Sequence, residues 1–107
     1  MGCGDGMKPV VLSLAKNDLK EIHDRLIEFG NIPPAKFRDS FVKFCNNVAC
    51  MPLMYPQYDH IPNYRKAVIE YDYIVFYKVE NVGSMTRARV YRVLHGKRDI
   101  ASFLDDE

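Results

Sequence analysis

Three strand-like runs fill residues 64–98, which read YRKAVIEYDYIVFYKVENVGSMTRARVYRVLHGKR. β-Branched and aromatic residues are frequent in the runs 64–70, 73–80 and 87–94, and only short links separate them. Links of this length favour antiparallel pairing of consecutive strands. The stretch therefore predicts a three-stranded antiparallel meander, which forms the larger part of a sheet.

Two amphipathic helices are predicted before the meander, after a short apolar strand at residues 10–12. The first helix starts at Ser13 and repeats apolar residues at steps of three and four as far as Gly30, a residue type that commonly ends helices. The second starts near Pro33 and ends before Pro52. Because few residues join the helices, they should form an antiparallel hairpin that lies on the sheet.

The element order is β-α-α-β-β-β, and the predicted fold class is α+β. We expect a small, mostly antiparallel four-stranded sheet with an N-terminal helical hairpin packed on one face. The 107 residues suffice for a single domain, which we assign to residues 8–107, with residues 1–7 as an unstructured leader.

A cytoplasmic location without membrane association is the expectation from two further features. No apolar run approaches the roughly 20 residues that cross a bilayer. The three cysteines are odd in number and include no C-x-x-C pair, which fits reduced thiols.

Basic residues concentrate on the last predicted strand and the turn after it. The chain has a formal charge of +1, yet residues 87–98 contain five Lys or Arg and no acidic residue. Side chains alternate along a strand. The predicted faces are Arg87, Arg89, Tyr91 and Val93 on one side, and Ala88, Val90, Arg92 and Leu94 on the side toward the helices. Arg92 therefore needs a paired partner, a position at the sheet rim, or a bulge.

This basic cluster has two interpretations. It is either a solvated face balanced by nearby acids or a patch that binds an acidic protein segment or a nucleic-acid backbone. The candidate macromolecule-binding residues are Arg87, Arg89, Tyr91, Arg92, Lys97 and Arg98. His95 either serves as a general acid or base beside these cations or fixes the strand-end turn by hydrogen bonding. No metal or cofactor is predicted, because the histidines and cysteines lack ligand spacing.

Several segments resemble toxins of the RelE/ParE superfamily. The most specific is Arg-Val-Leu-His-Gly-Lys-Arg-Asp at residues 92–99, and the stretches 12–22, 64–66 and 73–79 are also similar. The resemblance covers residues 8–104 and implies a bacterial type II toxin–antitoxin system. It implies a helical hairpin on a small sheet, a cognate antitoxin that wraps the toxin, and a toxin–antitoxin hetero-oligomer.

Two activities compete within this superfamily. RelE-like members cleave mRNA on the ribosome with clustered basic residues, whereas ParE-like members inhibit DNA gyrase by binding and have no attributed nuclease site. The RelE-type candidates carried over to this chain are Arg65, Lys66, Arg92, His95 and Arg98. Phe103 lies near the position where many RNA-cleaving relatives have a tyrosine, and phenylalanine transfers no proton.

The Leu-His-Gly-x-Arg-Asp ending looks more ParE-like, so the resemblance favours a gyrase inhibitor with no catalytic residues of its own. The alternatives are a ribosome-dependent mRNA endoribonuclease and a non-toxic relative that only binds its antitoxin.

Overall fold

The computed structural model describes residues 7–30, 33–61, 63–97 and 99–104. Its elements, in chain order, are β1 (Val10–Val11), α1 (Ser13–Phe29), α2 (Pro34–Cys50), β2 (Arg65–Val68), a 3₁₀ turn (Glu70–Asp72), β3 (Tyr73–Val82), β4 (Met85–His95) and α3 (Ile100–Phe103). The order confirms the α+β class and adds the short helix α3. Residues 1–6 of the proposed leader lie outside the described residues.

Glycine ends the first long helix, and proline begins the second. Gly30 adopts φ 71°, and its N–H donates to the carbonyl of Leu26, which ends α1. Pro34 is the first residue of α2, where a missing N–H costs nothing. The residue before α1 is Leu12, which offers no side-chain cap, so the helix begins without the serine cap that Ser13 suggests.

The sheet has four strands in the order β1-β4-β3-β2. β1 runs parallel to β4, and the other two pairs are antiparallel, as expected for a mostly antiparallel sheet. Helices α1 and α2 cover one face and form the main core with it. The largest buried side chains of that core are Tyr77, Phe44, Val48, Val75, Val90 and Val93. A second cluster lies on the other face and consists of Tyr64, Phe76, Leu94, Ile100 and Leu104.

A β-bulge at Tyr91 divides β4 into two halves. Phe76 of β3 lies opposite Arg92 while the next residue, Tyr77, lies opposite Val90, which leaves Tyr91 as the extra residue in the register. The predicted facing is correct before the bulge, where Ala88 and Val90 contact the helices.

The predicted facing is wrong after the bulge. Val93 packs in the helix-side core and Leu94 in the opposite cluster, the reverse of the expected arrangement. The physical reason is that one inserted residue inverts the alternation of every residue that follows it.

A second expectation concerned the cysteines, which were predicted to be reduced thiols. Cys50 is disulfide-bonded, so the prediction of reduced thiols is wrong at that position. Cys45 is a free thiol, and burial raises its pKa to about 11. Within the described ranges, none of the helices combines the length and the apolar character that a membrane span requires.

Candidate functional site

The bulge at Tyr91 separates the basic residues of β4 into two groups with different surroundings. Arg87 and Arg89 lie before it, in the part of the β3–β4 hairpin that we call the ribbon, residues 78–89. Arg92 lies after it, beside a groove of about 590 Å³ between α1, the end of β4 and α3, which we call the α1–β4 groove. The predicted patch is therefore two surfaces rather than one.

The α1–β4 groove combines an apolar lining with charged side chains. Ile22, Leu26 and Phe29 of α1 supply apolar surface. The charged side chains that line it are Asp18, Glu21, Arg25, Arg92 and Lys97. A groove with this mixture suits an amphipathic polypeptide segment better than a small uncharged ligand.

Arg92 is held against α1 by the carboxylate of Asp18. The guanidinium donates from Nε to Oδ2 at 2.7 Å and from Nη2 to Oδ1 at 2.9 Å, while the backbone N–H of Val93 donates to Oδ2 at 2.9 Å. The hydrogen bonds that Arg92 donates to Asp18 raise the pKa of Arg92, although burial opposes this. The Phe103 ring lies 5.4 Å from the guanidinium carbon. Arg92 is thus both paired and re-aimed, two of the solutions that the sequence required.

Asp18 was missed as a site residue. It occupies a buried position on the apolar stripe of α1, between Ala15 and Ile22. A carboxylate at such a position must be paired, and this signal in the sequence could have marked Asp18 as a residue that needs a cationic partner.

His95 lies at the end of β4, within the lining of the α1–β4 groove. Its Nδ1 accepts a hydrogen bond from the backbone N–H of Lys97 at 3.2 Å, and its ring packs edge-on against Tyr73 at 5.0 Å. Gly96 donates its N–H to the carbonyl of Asp72 at 2.9 Å. His95 therefore makes the turn-fixing hydrogen bond considered above. An accepting Nδ1 leaves the proton of the neutral ring on Nε2.

Arg65 and Lys66 point to opposite sides of the sheet. Arg65 lies opposite Tyr77 and donates from Nη1 to the carbonyl of Tyr55 at 2.7 Å. Lys66 lies opposite Phe76, and its Nζ is 5.8 Å from the ring centre of Tyr58. Neither residue lines the α1–β4 groove that contains Arg92 and His95. Arg98 lies outside the described residues.

Glu80 organises the basic side chains of the ribbon. Arg87 donates from Nε to its Oε2 at 2.8 Å, and Arg89 donates from Nη1 to its Oε1 at 3.2 Å. The hydrogen bond from Arg87 contributes most to lowering the pKa of Glu80. Sequence reasoning missed Glu80, although the two-residue turn at Gly83-Ser84 implies the register that sets it opposite Arg87.

The aromatic side chains continue this surface beyond Glu80. The Lys78 ammonium lies 4.7 Å from the ring centre of Tyr64 and 4.9 Å from that of Tyr91. Both distances are within the range of a cation–π interaction. Tyr91 therefore joins the candidate residues Arg87 and Arg89 on one continuous surface.

Comparison with solved structures identifies the fold. The chain is similar to the YoeB/ParE toxin from Agrobacterium tumefaciens, with a TM-score of 0.61 and 19% identity over 83% of this chain and 98% of that chain. At this identity the similarity shows the fold, which is that of the RelE/ParE superfamily toxins. No curated protein matches the sequence.

The family follows from the sequence itself. A family model described as the ParE toxin of the type II toxin–antitoxin system parDE matches residues 10–100. Because the match spans most of the chain, the protein belongs to the ParE toxin family. Membership of a toxin–antitoxin family implies a cognate antitoxin as partner.

Proposed function

We propose that this toxin inhibits DNA gyrase by binding it and contributes no catalytic residue of its own. The observation that supports the proposal best is the division of the basic residues that an RNA-cleaving relative would cluster. Arg65 lies on the helix-covered face and donates to a backbone carbonyl. Lys66 is separated from Arg92 by strand β3 and lies beside the Tyr58 ring, and Arg92 is bound by Asp18. Electrostatic stabilisation of a phosphate transition state needs cations that converge on one point.

The phenylalanine at position 103, near which many RNA-cleaving relatives have a tyrosine, supports the same proposal. Phe103 packs beside Arg92 in the α1–β4 groove and has no group that donates or accepts a proton. Among the described residues, the absence of a proton-transferring group at position 103 favours action through contact area over acid–base catalysis.

The antitoxin is proposed to occupy the α1–β4 groove. The apolar side chains of Ile22, Leu26 and Phe29 suit the apolar face of an amphipathic segment, and Phe29 is 65% exposed in this chain. Arg25 and Lys97 at the same groove favour acidic residues in that segment. The expected assembly is a toxin–antitoxin hetero-oligomer.

Supercoiling of relaxed plasmid by purified gyrase tests the proposed activity. Increasing amounts of the toxin should reduce the supercoiled product and raise the yield of linear DNA, because a toxin that binds the cleaved complex prevents religation. The same preparation should leave ribosome-bound mRNA intact. A toxin that cleaves the message and leaves gyrase unaffected would contradict the proposal.

One observation favours the ribonuclease alternative, and one variant tests it. His95 lines the α1–β4 groove together with Arg92 and Lys97, so an imidazole and two cations share one surface. The His95→Ala variant should slow a ribonuclease that uses this imidazole by about 100-fold or more. It should leave gyrase inhibition unchanged if His95 only fixes the strand-end turn.

A further inference from the structure

We propose that the ribbon, residues 78–89, is the surface with which the toxin contacts an acidic protein surface on its target. The inference rests on the proposed function, since it takes that target to be gyrase. It assigns the target to a different part of the molecule from the α1–β4 groove, where we expect the antitoxin.

The ribbon extends beyond the strands that flank it. β2 reaches only as far as the pair Arg65–Tyr77, and β1 begins at the pair Val10–Arg89. Between those two limits, β3 and β4 pair with each other and with no third strand in the described part of the chain. The outer end of the hairpin, residues 80–87, is therefore a two-stranded element, while Val79 and Ala88 behind it pack in the helix-side core.

The chemistry of the ribbon is that of a protein-binding surface. Its turn carries Val82 and Met85, which are 36% and 42% exposed. Behind the turn lie three cations and one carboxylate on the same face. These are Lys78, Arg87, Arg89 and Glu80. Arginine, tyrosine and methionine are enriched at protein interfaces, and arginine and tyrosine often carry much of the binding energy.

The cations are ordered before any partner arrives. Glu80 bonds both arginines, and Lys78 lies between two tyrosine rings, so these long side chains lose less entropy on binding than mobile ones would. The Arg89 side chain is 37% exposed. An incoming carboxylate would be attracted to it by the excess positive charge of the ribbon.

The same features favour a protein over a nucleic acid as the occupant. Glu80 neutralises part of the ribbon, and the whole chain carries a formal charge of only +1. Binding to a phosphate backbone depends on many uncompensated cations. Exposed apolar residues at the turn add nothing to a phosphate contact but do contribute to a protein interface.

The test compares three variants of the full-length toxin in gyrase supercoiling and in direct binding to immobilised gyrase without DNA. Arg87→Ala/Arg89→Ala removes two ribbon cations, and Met85→Ser removes the apolar turn residue. Lys16→Ala/Lys20→Ala removes the same charge from exposed positions of α1 and serves as the matched control. Circular dichroism melting verifies that each variant is folded.

The double ribbon variant should need at least about tenfold more protein for half-inhibition, the effect of losing about 1.4 kcal/mol of binding free energy. Met85→Ser should need about threefold more, and the α1 control should match the wild type. If the double variant does not fold, the Met85→Ser result decides.

Three other outcomes would contradict the ribbon assignment, and one of them would contradict the proposed function as well. Wild-type toxin that inhibits gyrase together with ribbon variants of equal potency would refute the ribbon and leave the proposed function intact. Wild-type toxin without any effect on gyrase would refute the proposed function and the ribbon assignment with it. Binding of bare duplex DNA that the ribbon variants lose would identify a nucleic-acid surface instead.

Discussion

The two halves of strand β4 use the same residue type in opposite ways. In the ribbon, Arg87 pairs with Glu80 on the neighbouring strand, and their side chains are 29% and 27% exposed. After the bulge, Arg92 pairs with Asp18 on α1, and their side chains are 17% and 10% exposed. A pair within one hairpin orders a surface, whereas a pair between a helix and a strand distant in sequence joins two layers of the fold.

The difference follows from where the neighbouring strand ends. β1 stops at Val11, so the backbone of β4 beyond Val90 lacks a strand on that side within the described residues. Asp18 accepts the N–H of Val93 as well as the guanidinium of Arg92, and so takes the place of the missing strand at that point. One carboxylate therefore closes the sheet edge and positions a groove residue.

The largest effect is expected from Asp18→Ala. The substitution leaves the half-buried guanidinium of Arg92 and the N–H of Val93 without their acceptor, which should cost about 3 kcal/mol of unfolding free energy. Urea denaturation measures the loss. Asp24→Ala, at an exposed position of the same helix, is the control and should stay within about 0.5 kcal/mol of the wild type.

An Asp18→Ala variant as stable as the Asp24→Ala control would show that Arg92 gains nothing from its partner. A second variant separates the cost of an unpaired charge from the value of the pair. Replacing both residues, Asp18→Leu with Arg92→Met, should recover part of the loss because no buried charge is left alone.

The second largest effect is expected from salt, which should weaken the Arg87–Glu80 pair more than the Arg92–Asp18 pair. Raising NaCl from about 0.1 M to about 1 M shortens the screening length from about 10 Å to about 3 Å, which weakens pairs in contact with solvent. Double-mutant cycles for Arg87–Glu80 and for Arg92–Asp18 measure each coupling energy at both concentrations. We expect the first to fall toward zero and the second to keep most of its value. Equal losses would mean that both pairs behave as surface pairs.

Local signals predicted most of the fold. The glycine after α1, the proline at the start of α2 and the β-branched and aromatic run of β3 are each local features of a few adjacent residues. A bulge was one of three alternatives for Arg92, and the sequence did not decide between them or place the bulge at Tyr91, because its position depends on packing on both faces of the sheet. For this reason Val93 and Leu94 were assigned to the wrong faces.

The candidate site was predicted by residue type but not by arrangement. Charge counting found the cations of β4, whereas their partners Asp18 and Glu80 depend on tertiary contacts and on strand register. The pair of Arg92 and Asp18 joins residues separated by 74 positions, and no local pattern specifies such a contact. The sequence could require a partner for Arg92 but could not name it.

The smallest effect, and one specific to the ribbon, is the response of Glu80 to acid. Hydrogen bonds from Arg87 and Arg89 lower the pKa of Glu80 below its ordinary value of 4.5. A carboxyl group whose pKa is lower in the folded state stabilises the fold above its unfolded pKa, and this contribution disappears as pH falls through the folded value. The Glu80→Gln variant lacks this contribution to stability at every pH.

The melting temperatures of wild type and Glu80→Gln should therefore differ slightly at pH 7 and converge as the pH is lowered below about 4.5. Glu28→Gln, at an exposed position near the end of α1, is the control for loss of a surface carboxylate, and we expect its difference from the wild type to change less with pH. A gap between wild type and Glu80→Gln that stays constant down to pH values of about 3 would mean that the ionised carboxylate does not hold the ribbon arginines. The ordering of the ribbon would then have to come from the tyrosine rings around Lys78, and Tyr91 rather than Glu80 would be the residue to vary.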